Sequence, residues 1–304
     1  MVRGESHYFL GTRYRLRVIE QDGAPGVVLR NRSAMELYVQ PGTTAEQRER
    51  VLQTHPGAPK AQKASWDTLI IPQTLRENLQ AYCRILRDYA GYQAQGVQLP
   101  KGLLFYGPPG CGKTQVAKTL SAEAGLNFVA LSTSDCKAMW IGHSADRLAK
   151  VFIEARSKQP SLIFIDEIDV VCPPRGMFHD SIAQEFVGEL LQQLDGLLSD
   201  TQAIFLVGAT NRPDQVDAAI LSRFAEQIEI PLPDERARAA LLEIFLGPIR
   251  FAGDRAGIVA SIAQTSAGRS GRDLRALINQ AVLSAVKRTN SPRDFALSEA
   301  DFVQ

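Results

Sequence analysis

Eight consecutive residues, Gly107, Pro108, Pro109, Gly110, Cys111, Gly112, Lys113 and Thr114, combine types that suit one ligand chemistry. Three glycines without Cβ atoms let the backbone wrap a phosphate and turn its N–H groups inward. Lys113 adds a cation for the β- and γ-phosphates, and Thr114 adds a hydroxyl for Mg2+. Downstream, Leu162-Ile-Phe-Ile-Asp166-Glu167-Ile-Asp169 ends an apolar run in acids. Asp166 suits the Mg2+ shell, and Glu167 suits the polarisation of an attacking water. A third apolar run, from Ala203, ends at Asn211, whose amide can hydrogen-bond the γ-phosphate or that water. Each piece has an ordinary reading of its own: a glycine-rich turn with a chance lysine, an acidic strand end, a structural asparagine. In series they imply a nucleoside triphosphate with Mg2+.

Such groups need elements that aim them. Gly102 to Tyr106 is a short apolar run stopped by glycine and proline, the pattern of a buried strand. From Gln115 to Ala124, Val116, Ala117, Leu120 and Ala124 recur at helical spacing, so the glycines lie between strand and helix, and the positive helix end adds to phosphate attraction. The runs ending at Asp166 and Asn211 read as central strands, whose C-terminal edge is where open parallel sheets bind ligands. A helix is predicted over 74–93, with Leu75, Leu79, Tyr82, Leu86 and Tyr89 on one face. Beyond Glu235 the apolar spacing is helical throughout: Ala239, Leu242, Ile244 and Phe245, then 258–263, then 274–286.

The 304 residues leave room for two or three small domains, and 45% hydrophobic with 22% charged residues is an ordinary globular composition. A net charge of +1 without a basic patch argues against nucleic acid as a partner. Cys83, Cys111, Cys136 and Cys172 form no C-x-x-C pair, and the four histidines form no H-E-x-x-H, so reduced thiols and no zinc site are expected. With no apolar run of membrane-spanning length and no signal core, a soluble, cytoplasmic protein is expected. Residues 1–54 read as a small β-rich unit. Its predicted strands are 7–20, where Tyr14, Leu16 and Val18 alternate with Arg13, Arg15 and Arg17, then 26–30 and 35–39. A helix capped by Thr43 or Thr44 is predicted to run to about Leu52. This unit resembles the opening strands of a zinc-metallopeptidase-like hydrolase family without its histidine-bearing catalytic part, so no hydrolase activity follows. Its arginine-striped strand is either a solvated sheet face or a client-recruiting surface. Residues 55–65, with proline and glycine among polar residues, read as a linker.

From Trp66 onward the chain resembles an AAA-family ATPase module. The resemblance rests on Pro100 to Thr114, Leu162 to Asp169, Gly208-Ala-Thr-Asn-Arg-Pro-Asp214 and Ser270-Gly-Arg-Asp-Leu274. Pro231-Leu-Pro-Asp234, after Arg223-Phe224, is similar to the branch containing katanin, spastin and the ESCRT-disassembly ATPase. It implies an α/β fold: a doubly wound parallel-sheet domain over 66–232 with a C-terminal helical lid over 233–304. It also implies ATP and Mg2+ as cofactors, and a homo-oligomeric ring, usually of six subunits.

On the same resemblance, the whole run from Gly107 to Thr114, with Gln115, holds the nucleotide, and Gly271 meets the adenine or ribose. Ile70 and Ile71 lie in the adenine-side segment, which lacks the family's usual glycine. Arg223 is the arginine offered to the neighbouring subunit; the position upstream that usually holds a second arginine is apolar or small (Leu221, Ser222). A structural salt bridge is the alternative role for Arg223. Trp140, Ile141 and Gly142 match a pore loop that grips extended polypeptide, a core tryptophan being the rival, and 172–180 matches a second pore loop. Two functions follow: a motor that unfolds or disassembles protein clients by threading, or a nucleotide-switched module that remodels one partner without threading.

Overall fold

The computed structural model describes the backbone of residues 3–9, 12–20, 26–31, 34–39, 64–97, 101–131, 144–174, 181–199, 203–247, 249–289 and 295–302. The chain divides into two compact units, Met1–Lys63 and Ala64–Gln304.

The first unit is a four-stranded sheet of β1 (Arg3–Phe9), β2 (Thr12–Glu20), β3 (Gly26–Asn31) and β4 (Ala34–Val39), in the order β1-β2-β4-β3. The outer pairs are antiparallel, and the central β2–β4 pair is parallel. This corrects the expectation of one strand over 7–20. Phe9 pairs with Thr12, so the chain reverses between them and the segment is shared by two strands. The signal was Gly11, which interrupts the alternation. The helix expected over 43–52 lies outside the described residues.

The second unit begins with a 3-10 turn (Trp66–Thr68), α1 (Gln73–Arg87) and α2 (Tyr89–Ala94). The single helix expected over 74–93 is therefore two. Asp88, at φ −104° and ψ 28°, is the non-helical joint, and its N–H still closes on the Arg84 carbonyl. Then come β5 (Gly102–Tyr106), α3 (Lys113–Ala124), β6 (Asn127–Leu131), α4 (Ser144–Ser157) and β7 (Ser161–Ile165). The short α5 (Ile168–Val171), α6 (Ser181–Ser199), β8 (Ile204–Thr210), α7 (Ala218–Leu221) and β9 (Glu226–Glu229) complete the α/β part.

The five strands pair in parallel in the order β6-β7-β8-β5-β9. The central strands β5, β7 and β8 are buried on both faces, which is why they read as unbroken apolar runs. Leu104, Ile163, Ile165 and Leu206 pack with α4, α5 and α6 on one face. Leu103, Phe105, Leu162, Phe164, Phe205 and Val207 pack with α1 and α3 on the other. β5 follows neither of its sequence neighbours in space: it sits between β8 and β9, so the order reverses beside it. That switch point leaves a crevice at the strands' C-terminal ends.

The lid comprises α8 (Glu235–Leu246), α9 (Arg255–Thr265) and α10 (Gly271–Thr289) around its own core of Leu242, Leu246, Ile262, Leu274, Ile278 and Leu297. Arg238, only 6% exposed, donates to the carbonyls of Ala263 and Pro233 and so ties α8, α9 and the entering chain together.

Candidate nucleotide site

The loop after β5 turns on three glycines with φ of +139° (Gly107), +81° (Gly110) and +94° (Gly112), a region closed to most L-residues. α3 then starts at Lys113, so its first N–H groups face the crevice. The Lys113 ammonium, on a residue only 8% exposed, donates to the carbonyls of Gly107 (2.7 Å) and Pro108 (3.0 Å) and to Oδ1 of Asn211 (2.7 Å). Burial lowers its pKa, nearby Cys111, Asp166 and Asp169 oppose that shift, and the Arg272 guanidinium adds to it. A buried cation held by neutral oxygens is the arrangement that a polyphosphate would satisfy.

On the adjoining strand end, Thr114 Oγ1 donates to Asp166 Oδ2 at 3.1 Å, pairing the two groups expected at Mg2+. Asp166 Oδ1 accepts the Glu167 N–H at 3.0 Å. Glu167 itself has φ 50° and ψ 50°, and among the described residues it is the one non-glycine with positive φ. This left-handed turn stops β7, starts α5 and leaves the Glu167 side chain exposed; backbone strain of that kind collects at working sites. Lys113, Thr114, Asp166, Glu167 and Asn211, far apart in sequence, thus come from three neighbouring strand ends.

The lid closes over the loop. The Arg272 N–H donates to the Gly110 carbonyl at 3.3 Å, and a Cβ at Gly271 would sit 3.4 Å from the same oxygen. Asp273, its carboxyl held below the usual range by hydrogen bonds from Ser270, fixes the first turn of α10. Gln115 is exposed on the first turn of α3. Ile71 packs against the apolar cluster beneath the loop, while Ile70 is half-buried beside it. Their segment is pinned by Arg76, which donates to the carbonyls of Trp66 and Leu69, both at 2.6 Å. Burial raises the Cys111 thiol above its ordinary value, the direction opposite to that of an activated thiol.

Residues 103–232 match the family described as "ATPase family associated with various cellular activities (AAA)". The chain carries an AAA-family ATPase domain. An ATP-dependent zinc metalloprotease FtsH of Opitutus terrae is 38% identical over 218 residues, covering 70% of this chain and 35% of that protein. Protein SAV of Sulfolobus acidocaldarius is 34% identical over 239 residues, covering 76% of this chain and 30% of that protein. The crystal structure of the FIGL-1 AAA domain superposes with a TM-score of 0.70 at 26% identity, over 79% of this chain and 81% of that one. The chain spans about a third of the length of the curated relatives it matches.

Within this AAA domain, Arg223 bonds to α6 and to the turn at the end of α7. Its Nε and Nη2 form a two-pronged bond to Asp195 at 2.8 and 2.9 Å, and Nη1 donates to Ser222 Oγ and the Ala219 carbonyl. The salt-bridge alternative is therefore realised within the chain, with a partner on α6 that no motif flagged. Trp140, Ile141 and Gly142 lie outside the described residues, as do 175–180 of the second expected pore loop. Other residues that motif reading passed over are Asp169, Thr210 and Arg272. All three stood inside quoted motifs, but their roles come from distances that a linear sequence does not carry. No helix among the described residues is long and apolar enough to cross a membrane.

Proposed function

We propose that this chain is a Mg2+-dependent ATPase motor that remodels, unfolds or disassembles protein clients, working as a homo-oligomeric ring, of six subunits by family resemblance. What carries this is the convergence of Lys113, Thr114, Asp166, Glu167 and Asn211 on one crevice under a closed lid. Lys113 and the N-terminal turn of α3 hold the phosphates, and Thr114 and Asp166 would hold Mg2+, which when bound neutralises phosphate charge. Glu167, exposed at the crevice, takes a proton from the attacking water, and Asn211 orients that water or the γ-phosphate. Arg223 lies on the surface beside α6, a place from which it serves a neighbour's nucleotide once released from Asp195. Residues 1–54 are proposed as the client- or adaptor-recognising unit, 55–65 as the linker, 66–232 as the motor and 233–304 as the lid. Trp140, Ile141 and Gly142 are proposed as the polypeptide grip.

The test is oligomeric mass by light scattering, with ATP and with Glu167→Gln, which keeps nucleotide while blocking hydrolysis. A nucleotide-dependent ring, with Trp140→Ala losing client processing but keeping basal ATPase, supports threading. A monomer that binds nucleotide and never assembles overturns it and leaves the nucleotide-switched binding module.

A further inference from the structure

Asn211 is exposed, so packing does not hold its side chain on Lys113. What fixes it is the residue before it. Thr210, 1% exposed at the end of β8, donates its hydroxyl proton to Asp169 Oδ1 at 2.6 Å and accepts the Arg212 N–H at 2.9 Å. A carboxylate only accepts, so the hydroxyl must point its proton at Asp169, which frees its lone pairs for Arg212. The backbone on both sides of Asn211 is thereby held. Asp169 lies in the first turn of α5, the helix that Glu167 begins. One hydroxyl therefore joins the turn carrying Glu167 to the strand end carrying Asn211.

We propose that Asp169, acting through the Thr210 hydroxyl, is a positioning residue that sets the spacing between Glu167 and Asn211 for hydrolysis. The inference rests on the ATPase reading above and adds a residue pair that acts through Glu167 and Asn211. Hydrogen bonds to a charged acceptor are the stronger kind, and a misplacement of about 1 Å at a reacting group can cost about a hundredfold in rate.

The test uses the full chain and measures kcat at saturating ATP, the Kd of a fluorescent ADP and the thermal midpoint. Thr210→Val is expected to lose about 10- to 100-fold in kcat with Kd within about threefold of the parent, and Thr210→Ser to restore the rate. Asp169→Ala should show the same split and serves if Thr210→Val does not fold. Adding Thr210→Val to Asn211→Ala should cost no more than about threefold further, because both changes break one unit. Thr210→Val with parental kcat overturns the proposal, and so do losses from Thr210→Val and Asn211→Ala that multiply. If Asn211→Ala alone keeps full kcat, the assignment of Asn211 fails and the inference with it. If Asn211→Ala is inactive while Thr210→Val is not, only the positioning role falls.

Discussion

Gly110 is the point where the phosphate loop and the lid meet, and adding one methyl there separates two costs. At φ +81° an alanine enters the left-handed region, worth about 1–2 kcal/mol. Its Cβ would also lie 2.5 Å from Ser270 Oγ and 2.7 Å from Arg272 Cβ, contacts that force the lid to give. Overpacking of this sort costs about 1–3 kcal/mol. If the lid retreats instead, the Arg272 N–H···O bond to Gly110 is lost, worth about 0.5–1.5 kcal/mol net. Either route disfavours the closed lid by about 1–3 kcal/mol, which is roughly a 5- to 150-fold loss of nucleotide affinity if the closed form is the one that binds. Gly125→Ala is the control: φ is +73°, nothing lies within 4 Å of the new Cβ, and the residue ends α3 away from the crevice. It should lower the thermal midpoint with little change in affinity. Titration of both variants with a fluorescent ADP, beside their melting curves, measures the difference. Gly110→Ala binding within about twofold of the parent, or Gly125→Ala losing as much affinity, would refute the lid contact as a determinant of binding.

Arg223→Ala should keep nucleotide binding and lose most hydrolysis in the assembled protein, where a trans-acting arginine contributes roughly 10³- to 10⁵-fold; full residual hydrolysis in steady-state assays would contradict that role. Arg272→Ala removes a cation from the lid turn whose N–H bonds the Gly110 carbonyl, so nucleotide affinity should fall about tenfold; unchanged affinity in ATP and ADP titrations would count against it. Asp301, 6% exposed, is pushed up by burial but pulled down further by hydrogen bonds from Arg288 and Ser298, so its folded-state pKa lies below the unfolded one. Its contribution to stability is present above the unfolded carboxyl value near ~3.9 and is lost as pH falls through the depressed folded value. Asp301→Asn should lower the neutral-pH midpoint and flatten the acid limb of a Tm-against-pH series.

What the sequence made legible is whatever local spacing dictates. The glycine loop, Lys113, Thr114, Asp166, Glu167 and Asn211 were all marked by type and context, because β5, β7 and β8 are buried on both faces and advertise themselves as apolar runs. Strand order was not legible in that way: nothing local says that β5 sits between β8 and β9, yet that placement is what puts Lys113 beside Asn211 at 2.7 Å. The single strand expected over 7–20 failed because strand-forming residues flank the reversal on both sides, and only Gly11 signals it. The helix expected over 74–93 failed at Asp88 because apolar spacing persisted across the joint.

Arg223 shows the deeper gap. As a residue type it fits both a surface salt bridge and a catalytic contact, and the two-pronged bond to Asp195 realises the first within one chain. Such a pair, with 27% and 54% of the side chains exposed, holds by about 1 kcal/mol or less. A neighbour's triphosphate, carrying several charges in a drier site, can outbid that bond, so the observed pairing does not compete seriously with a role across subunits. Asp195→Ala is the sharper probe. It frees Arg223 without touching the phosphate loop, so it should leave nucleotide affinity unchanged and move hydrolysis by no more than about fivefold, against the far larger loss from Arg223→Ala. If the two variants instead lose hydrolysis equally, the pair acts as a unit and Arg223 is a structural residue after all.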